Sequence, residues 1–449
     1  MSAFDGEIAV VIGAGVAGNA AARALVGEGA RVRVTDARPR EELGEAAALE
    51  RLGIEVRAGG HDPADLEGVT LVVTSPGVPP DTELLRVARE RGLPVWGEME
   101  LGARLARAPY LAVTGTNGKT TTTGMLASIL GVAGLDVVAC GNNGRPFPTA
   151  AREQHDVLVV EVSSFQLAEQ VSFHPVVSVL LNLAPDHLDH HGSFPAYASA
   201  KARIFANQTG EDVHVGNRDD PDAAALSSRA PCVVRWFCLG EPDEGDVGYR
   251  DGRLVARTDD GEVDLGPVAD DRAGHRANAA AAAAVALADG VAPAAIRRGL
   301  TLATPEPHRG EVVARIGGVR FVDDSKATNV HAALAAIDGV RAAVLIAGGR
   351  AKGQDLSPLG TRAARLAGVV AIGEAADDVE RAFDGRLPVR RAGSIEEAVR
   401  VAYELAPADG VVLLAPACAS WDQFADYAER GDRFGAAARA IVKEVRVDG

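Results

Sequence analysis

The chain is short of the residues and patterns that mark several protein classes. Its four cysteines, Cys140, Cys232, Cys238 and Cys418, form no CxxC pair. That excludes a dense disulfide framework and points to reduced thiols in a cytosolic protein. Positive charge is scarce: 46 lysines and arginines face 62 aspartates and glutamates, a formal net charge of -16. A nucleic-acid binder needs a basic footprint, which this balance does not supply. Anionic small ligands fit only where backbone N–H groups and a few cations offset the overall field locally. No uninterrupted apolar run approaches the roughly 20 residues of a membrane span. The apolar stretch at 8–18 does not read as a signal peptide either, because Asp5 and Glu7 stand where a basic segment should be. No internal repeat of solenoid period is present. The expectation is a soluble, cytoplasmic protein that inserts in no membrane and binds no nucleic acid.

What is there is globular composition, 47% apolar and 24% charged over 449 residues. That length exceeds one ordinary core and suits three units of about 100–200 residues. Short apolar runs alternate with helix-length amphipathic segments, the pattern of parallel α/β sheets. The expected fold class is α/β in three domains: a Rossmann-like N-terminal domain over 1–100, a central P-loop domain over 101–305 and a Rossmann-like C-terminal domain over 306–449. Strands are expected at Ile8–Ile12, Arg31–Thr35, Ile54–Arg57 and Leu71–Thr74, then at Tyr110–Val113, Val157–Glu161 and Val176–Leu183. The last third adds Val319–Val322, Ala343–Ile346, Val369–Ile372 and Val411–Leu414. Asp251-Gly252 and Asp260-Gly261 read as hairpin turns. The alanine run Ala279–Ala284 reads as helix, and the proline-rich Ala303–Pro307 as a linker.

Two glycine loops carry the first chemistry. Gly13-x-Gly15-x-x-Gly18 lies between a strand and a helix, where glycine allows a tight turn and the helix N-terminus offers N–H groups to a pyrophosphate. Asp36, at the end of the next strand, is placed to accept hydrogen bonds from a ribose or a base. NAD, another dinucleotide or a UDP-sugar would each suit these features, and nothing further resembles hydride-transfer machinery. The second loop, Thr114 to Thr121, also follows a strand and opens a helix. It departs from GxxxxGK[ST], since Val113 stands where the first glycine should be. Its parts are those of a nucleoside-triphosphate site even so. Backbone N–H groups cradle phosphates, Lys119 reaches the terminal ones, and the Thr120 hydroxyl suits magnesium.

Glu161 ends a strand at the carboxyl edge where sheet ligands gather, as a metal-side carboxylate beside the phosphate loop. Asp186-His187-Leu188-Asp189-His190-His191 crowds carboxylates and imidazoles. Zinc is one reading of that segment, but one short run rarely completes a tetrahedral cage, and magnesium beside ATP phosphates fits better. In the last third, Asp323 to Asn329, Gly348 to Lys352 and Ala417 to Phe424 each follow a strand. Three loops at strand carboxyl ends can converge on one crevice, and their lysines and hydroxyls suit a substrate with carboxylates.

These residues are where the chain resembles the Mur ligase family, over essentially its whole length. TGTNGKTTT, the EVSSFQL segment at Glu161, DHLDHH and PHRGE at Pro307 are family-wide in type. DSKATN at Asp324 and APACASWDQF at Ala415 point to the branch that adds D-glutamate. The resemblance implies a UDP-sugar site at Gly15, Val16, Asp36, Arg38, Ser75 and Asn142. It implies an ATP site at Gly115, Thr116, Asn117, Gly118, Lys119, Thr120 and Thr121, joined by Asn278, His308, Arg309 and Asp324. Thr120, Glu161, His187 and Lys201 match magnesium ligands, with Lys201 in the position of a lysine carbamylated in the family. Lys119, Glu161, His187 and Lys201 are thus the catalytic set. Thr328, Lys352, Ser420 and Tyr427 match amino-acid contacts. Where the family has His-Asn-x-x-Asn this chain reads Gly274-His275-Arg276-Ala277-Asn278, so only Asn278 carries over.

The implied reaction is ATP-dependent ligation of D-glutamate to UDP-N-acetylmuramoyl-L-alanine through an acyl phosphate, in peptidoglycan precursor synthesis, releasing ADP and phosphate. The expected partners are those two substrates, the cofactors ATP and Mg2+, and the expected state a monomer. A folylpolyglutamate synthase shares the phosphate-loop core, but the separate Gly13–Asp36 unit argues against it. A nucleotide-binding regulator without turnover would not need Lys119, Glu161, His187 and Lys201 together. An NAD dehydrogenase leaves the phosphate loop unexplained.

Overall fold

The computed structural model describes all residues except 1–2, 259–260, 269, 305 and 448–449, with backbone alone at 442–447. Asp260 of the second expected hairpin turn and Pro305 of the linker lie outside the described residues.

Among the described residues, three sheets organise the chain. The first has five strands in the order Glu55–Ala58, Arg31–Asp36, Ile8–Ile12, Leu71–Thr74 and Val95–Gly97, all parallel. Continuous apolar runs such as Leu-Val-Val-Thr are fully buried because both faces of a parallel sheet are covered. The order reverses between Ile8–Ile12 and Leu71–Thr74, which opens a crevice outside their carboxyl ends. The second sheet has nine strands. From its parallel edge they run Val137–Gly141, Val157–Glu161, Tyr110–Thr114, Val177–Leu180, Val213–Asn217, Val233–Phe237 and Val247–Arg250. Two antiparallel strands, Arg253–Thr258 and Gly261–Pro267, complete it. Asp251 and Gly252 take φ values of 50° and 75°, the left-handed pair a two-residue hairpin turn requires.

The third sheet orders Glu311–Ile316, Val319–Asp323, Val411–Leu414, Ala343–Gly348, Leu366–Ile372 and Val389–Arg391. Only its first pair is antiparallel. The strand Val177–Leu180 is shorter than the expected Val176–Leu183. Asn182 and Leu183 leave the ladder because their polar groups are engaged elsewhere, Leu183 N–H by the Asp220 carboxylate at 2.8 Å.

By packing, the chain forms two compact units. One comprises Met1–Leu183, Ala198–Asp271 and His275–Ala303, and the other Ala184–Tyr197, Arg272–Gly274 and Thr304–Gly449. The first unit holds two sheets because one apolar core runs through both, from Leu25 and Met99 to Tyr110, Phe147 and Phe173. The ring centroids of Tyr110 lie 5.4 Å from Phe147 and 5.1 Å from Phe173. A residue larger than glycine at 102 would put its Cβ 2.4 Å from the Phe147 ring. Packing thus joins the segments on either side of residue 100 in one unit.

Candidate functional site

In the first unit, the turn after Ile8–Ile12 is built on glycine for steric reasons. Gly13 sits at φ 95°, and a Cβ on Gly18 would lie 1.8 Å from the Gly13 carbonyl oxygen. Gly15 faces open space and Val16 is 74% exposed, so backbone N–H groups at the helix start are approachable. Ser75, after the neighbouring strand Leu71–Thr74, donates its hydroxyl to the Gly13 carbonyl at 3.2 Å. Gly15, Val16 and Ser75 thus share the crevice where the strand order reverses. Asp36 is engaged within the turn itself. Its oxygens already accept the Ala14 N–H at 2.7 Å, the Arg38 N–H at 2.9 Å and the Arg38 guanidinium at 2.9 and 3.0 Å. The Arg38 hydrogen bond foremost lowers its carboxyl to about 2. Asp36 braces the glycine turn and aims Arg38.

The phosphate loop follows Tyr110–Thr114 in the middle of the second sheet. Gly118, at φ 85°, begins the helix Lys119–Val132, and a Cβ there would lie 2.2 Å from Asn278 Oδ1. That close approach puts Asn278 against the loop. Lys119 Nζ donates to the carbonyls of Gly115 and Thr116, both at 3.1 Å. Thr120 is the second residue of the helix, and the Thr121 hydroxyl is buried with no hydrogen-bond partner. Lys201 is 2% exposed and donates to the same Gly115 carbonyl at 2.8 Å. Lys201 is therefore no solvated surface lysine.

Glu161 pairs in register with Val113, one strand over, which sets it beside the start of the loop. It is 2% exposed; Oε1 accepts from Asn142 Nδ2 at 2.9 Å, while Oε2 is buried without a partner. A buried carboxylate oxygen without a donor is costly unless something cationic meets it. This is the observation that fits a divalent ion here. Among the described residues no three His, Cys, Asp or Glu side chains form a cage.

Asn182 escaped the sequence reading. Its carbonyl oxygens accept the N–H groups of Thr116 at 3.0 Å and Asn117 at 2.8 Å, and its amide donates to Asn117 O at 3.0 Å. A polar residue closing an apolar strand was the available signal. Behind the Glu161 strand, Gln166 Nε2 donates to the buried Glu98 carboxylate at 2.6 Å, and Gln166 Oε1 accepts the Ser163 N–H at 2.8 Å. Burial pushes the Glu98 carboxyl up to about 7. A raised folded value means that folding favours the protonated acid. The stabilisation is then complete below pH 4.5 and lost as pH rises through about 7. Glu98→Gln should therefore flatten the fall in melting temperature between pH 5 and 8, with a gain at pH 8 on the order of 2–3 kcal/mol. A variant whose melting temperature tracks the parent at every pH would contradict this.

In the second unit three adjacent strands, Val319–Asp323, Val411–Leu414 and Ala343–Gly348, deliver their following loops to one edge. The loops are stitched together: Ala417 N–H donates to Ala327 O at 2.9 Å, and Arg350 and Ala419 exchange bonds at 2.9 and 3.0 Å. Thr328, Lys352 and Ser420 therefore occupy neighbouring loops. Lys352, at φ 54°, is buried against Asp186 with Nζ 2.6 Å from Oδ1. Asn329 and Gln354 amides, each at 3.2 Å, complete that carboxylate's shell. Burial raises the Asp186 carboxyl, but the charges of Lys352 and His187 outweigh it and hold the group below its usual range. His187, at φ 52°, heads the short helix Leu188–His191, 3.7 Å from Asp186.

Tyr427 lies under the Lys326 ammonium, 5.0 Å from ring centre to Nζ. His308 Nδ1 is 2.7 Å from Asp323 Oδ2, and Arg309 Nε donates to Glu306 at 2.7 Å. Burial pushes the Asp324 carboxyl up to about 7, against the pull of Arg309 and Arg272. Gln354 was not named from sequence, and Asp186 and Asn329 entered only as members of short segments, because each gains its role only when separate segments meet.

Comparison with known proteins agrees with this layout. Residues 7–97 match the Mur ligase MurD-like N-terminal domain, 113–264 the Mur ligase middle domain, and 308–418 the Mur ligase glutamate ligase domain. The chain is 46% identical to UDP-N-acetylmuramoylalanine--D-glutamate ligase of Frankia casuarinae, across 96% of this chain and 93% of that one. The enzyme of the same name from Streptomyces avermitilis is 44% identical, across 98% and 100%. The crystal structure of MurF ligase from Thermotoga maritima in complex with ADP shares the fold, with a TM-score of 0.60 at 19% identity, covering 98% of this chain and 96% of that one. Full-length identity at this level leaves one assignment: the chain belongs to the Mur ligase family, among the UDP-N-acetylmuramoylalanine--D-glutamate ligases.

Proposed function

We propose that this chain joins D-glutamate to UDP-N-acetylmuramoyl-L-alanine with ATP, as a cytoplasmic monomer of three domains, one per sheet, bounded near residues 100 and 305. No described helix is long and apolar enough to cross a membrane. A carboxylate does not react with an amine unaided. One of its oxygens attacks the γ-phosphorus of ATP, ADP leaves, and an acyl phosphate remains. The D-glutamate amine then attacks the acyl carbon, an amide forms, and phosphate departs with the former carboxylate oxygen. The observation that carries this reading is the convergence of Lys119 and Lys201 on the Gly115 carbonyl, next to the strand end where Glu161 keeps an unpartnered oxygen.

Lys119 then lies along the terminal phosphates, with the loop N–H groups of Gly115 to Thr121 around them. Thr120, Glu161, His187 and a carbamylated Lys201 would hold magnesium, which would supply charge neutralisation for the transferring phosphoryl group. Gly15, Val16, Arg38 and Ser75 receive the nucleotide sugar, with Asp36 as the brace of Arg38 and Asn142 as the partner of Glu161. Asn278, Arg309 and Asp324 serve the nucleotide, and Thr328, Lys352, Ser420 and Tyr427 the amino acid. Phosphate release should require ATP, UDP-N-acetylmuramoyl-L-alanine and D-glutamate together. Turnover with folate and L-glutamate, or nucleotide binding with no turnover under any pairing, would overturn the proposal.

Lys352 gives a narrower prediction. As a compact cation it holds a carboxylate by charge while hydroxyls direct it. A hydrogen bond to a charged group contributes about 1.5–3 kcal/mol. Lys352→Ala should therefore raise the D-glutamate KM about 10- to 100-fold and leave the ATP KM nearly unchanged. It should also lower the melting temperature, because Asp186 loses its buried counter-charge. Equal rises in both KM values would put Lys352 outside the amino-acid pocket.

A further inference from the structure

The helix Tyr427–Val447 turns one face toward the three loops of the second unit. Tyr427, Arg430, Gly431 and Phe434 follow the i, i+3, i+4, i+7 spacing of a single helical face. Arg430 is 1% exposed and is the bulkiest of the fully buried side chains. A buried guanidinium is ordinarily matched by a carboxylate. Among the described residues no acidic group stands within ion-pair distance of this one, and its partners are loop atoms instead. Nε donates to Ser325 Oγ at 2.9 Å, one terminal nitrogen to Ser325 O at 2.8 Å, and the other to Cys418 O at 3.1 Å.

Those atoms belong to two different loops. Ser325 opens the segment that ends in Thr328 and Asn329, and Cys418 precedes Ser420 by two residues. The Ser325 hydroxyl passes the linkage on, donating to Tyr427 O at 2.7 Å. Gly431 follows the same logic by its small size: a Cβ there would lie 2.2 Å from His308 Nδ1 and 2.7 Å from Asp323 Oδ2.

We propose that Arg430 is a positioning residue for the amino acid, a three-point clamp that fixes the Thr328 loop against the Ser420 loop so that both hydroxyls meet one substrate. A rigid planar fork suits this task, and an ammonium does not, because three donors in fixed directions must reach acceptors on two loops. Burying the charge among carbonyls is repaid by the order it imposes on the site. The inference rests on the amino-acid pocket proposed above.

The test is steady-state kinetics on the full-length enzyme with each substrate varied, after D-glutamate-dependent phosphate release by the parent has been established. Absence of that parent activity would refute the pocket itself, a result distinct from failure of the clamp. Arg430→Gln should raise the D-glutamate KM at least tenfold and shift the ATP and nucleotide-sugar KM values less than about threefold. Arg430→Lys should fall between parent and Arg430→Gln. Millimolar methylguanidinium added to Arg430→Gly should lower the D-glutamate KM again, which general loss of stability would not allow. Ser325→Ala, which removes one anchor and keeps the arginine, should move the same KM in the same direction by a smaller factor, and it decides the matter if the arginine variants do not fold. A D-glutamate KM unchanged in Ser325→Ala and in any folded arginine variant, or one that rises only in step with the ATP KM, overturns the proposal.

Discussion

Lys119→Ala loses ATP-dependent phosphate release by at least about a thousandfold while the protein keeps its fold. The magnitude follows from what the ammonium faces. Phosphoryl transfer leaves little covalent work for a protein, so positioned positive charge supplies most of the rate, and single charge-stabilising groups are worth factors of about 10²–10³ or more. The fold survives because Lys119 is not part of an apolar core. Its Nζ folds back on the Gly115 and Thr116 carbonyls, and the loop has other supports in Asn182 and Asn278. Circular dichroism and a thermal melt check the fold, and a phosphate assay checks the activity. Near-normal turnover by a folded variant would remove the phosphate-loop assignment.

The second large effect is at Lys201. Its buried Nζ and that of Lys119 share the Gly115 carbonyl at 2.8 and 3.1 Å. Two like charges so close repel by several kcal/mol at the effective dielectric of a partly buried site. If the Lys201 ammonium gave up its proton, the neutral amine would react with carbon dioxide, forming a carbon–nitrogen bond, releasing a second proton and leaving a carbamate. The charge at 201 would then change from positive to negative, turning repulsion into attraction, and the new oxygens would suit magnesium as an ammonium cannot. Lys201→Ala should therefore lose activity by about 10²-fold or more, in line with the loss of a metal-side group. Formate, acetate or propionate at millimolar concentration should restore part of it by placing a carboxylate in the vacated space. Full activity in Lys201→Ala, or an intact-mass and kinetic profile insensitive to short carboxylates and to carbon dioxide, would leave Lys201 with a packing role only.

Much of this was legible from residues alone, and the reasons are local. Gly13, Gly18 and Gly118 announce tight turns because steric conflict at those positions is decided within a few residues or one neighbouring side chain. The strands Ile8–Ile12, Leu71–Thr74, Val157–Glu161 and Val411–Leu414 stand where their apolar runs begin and end. Parallel sheets buried on both faces produce such uninterrupted runs. The strand at Val177–Leu180 fell short of its apolar run because Asn182 serves the phosphate loop rather than the ladder. What sequence did not show depends on meetings between distant segments. The bonds by which Asp36 ties Arg38 to the Ala14 turn join two loops and do not show in the sequence. Asp186 gains its meaning from Lys352, 166 residues away, and Arg430 from Ser325, 105 residues away.

Oxygen-18 traces the acyl phosphate. UDP-N-acetylmuramoyl-L-alanine labelled in its terminal carboxylate is incubated with the enzyme, ATP, magnesium and D-glutamate, and the released phosphate is analysed by mass spectrometry. One labelled oxygen in phosphate for each amide bond formed, with ADP as the other nucleotide product, is the predicted result. Unlabelled phosphate accompanying amide formation, or label recovered in AMP with release of pyrophosphate, would contradict it.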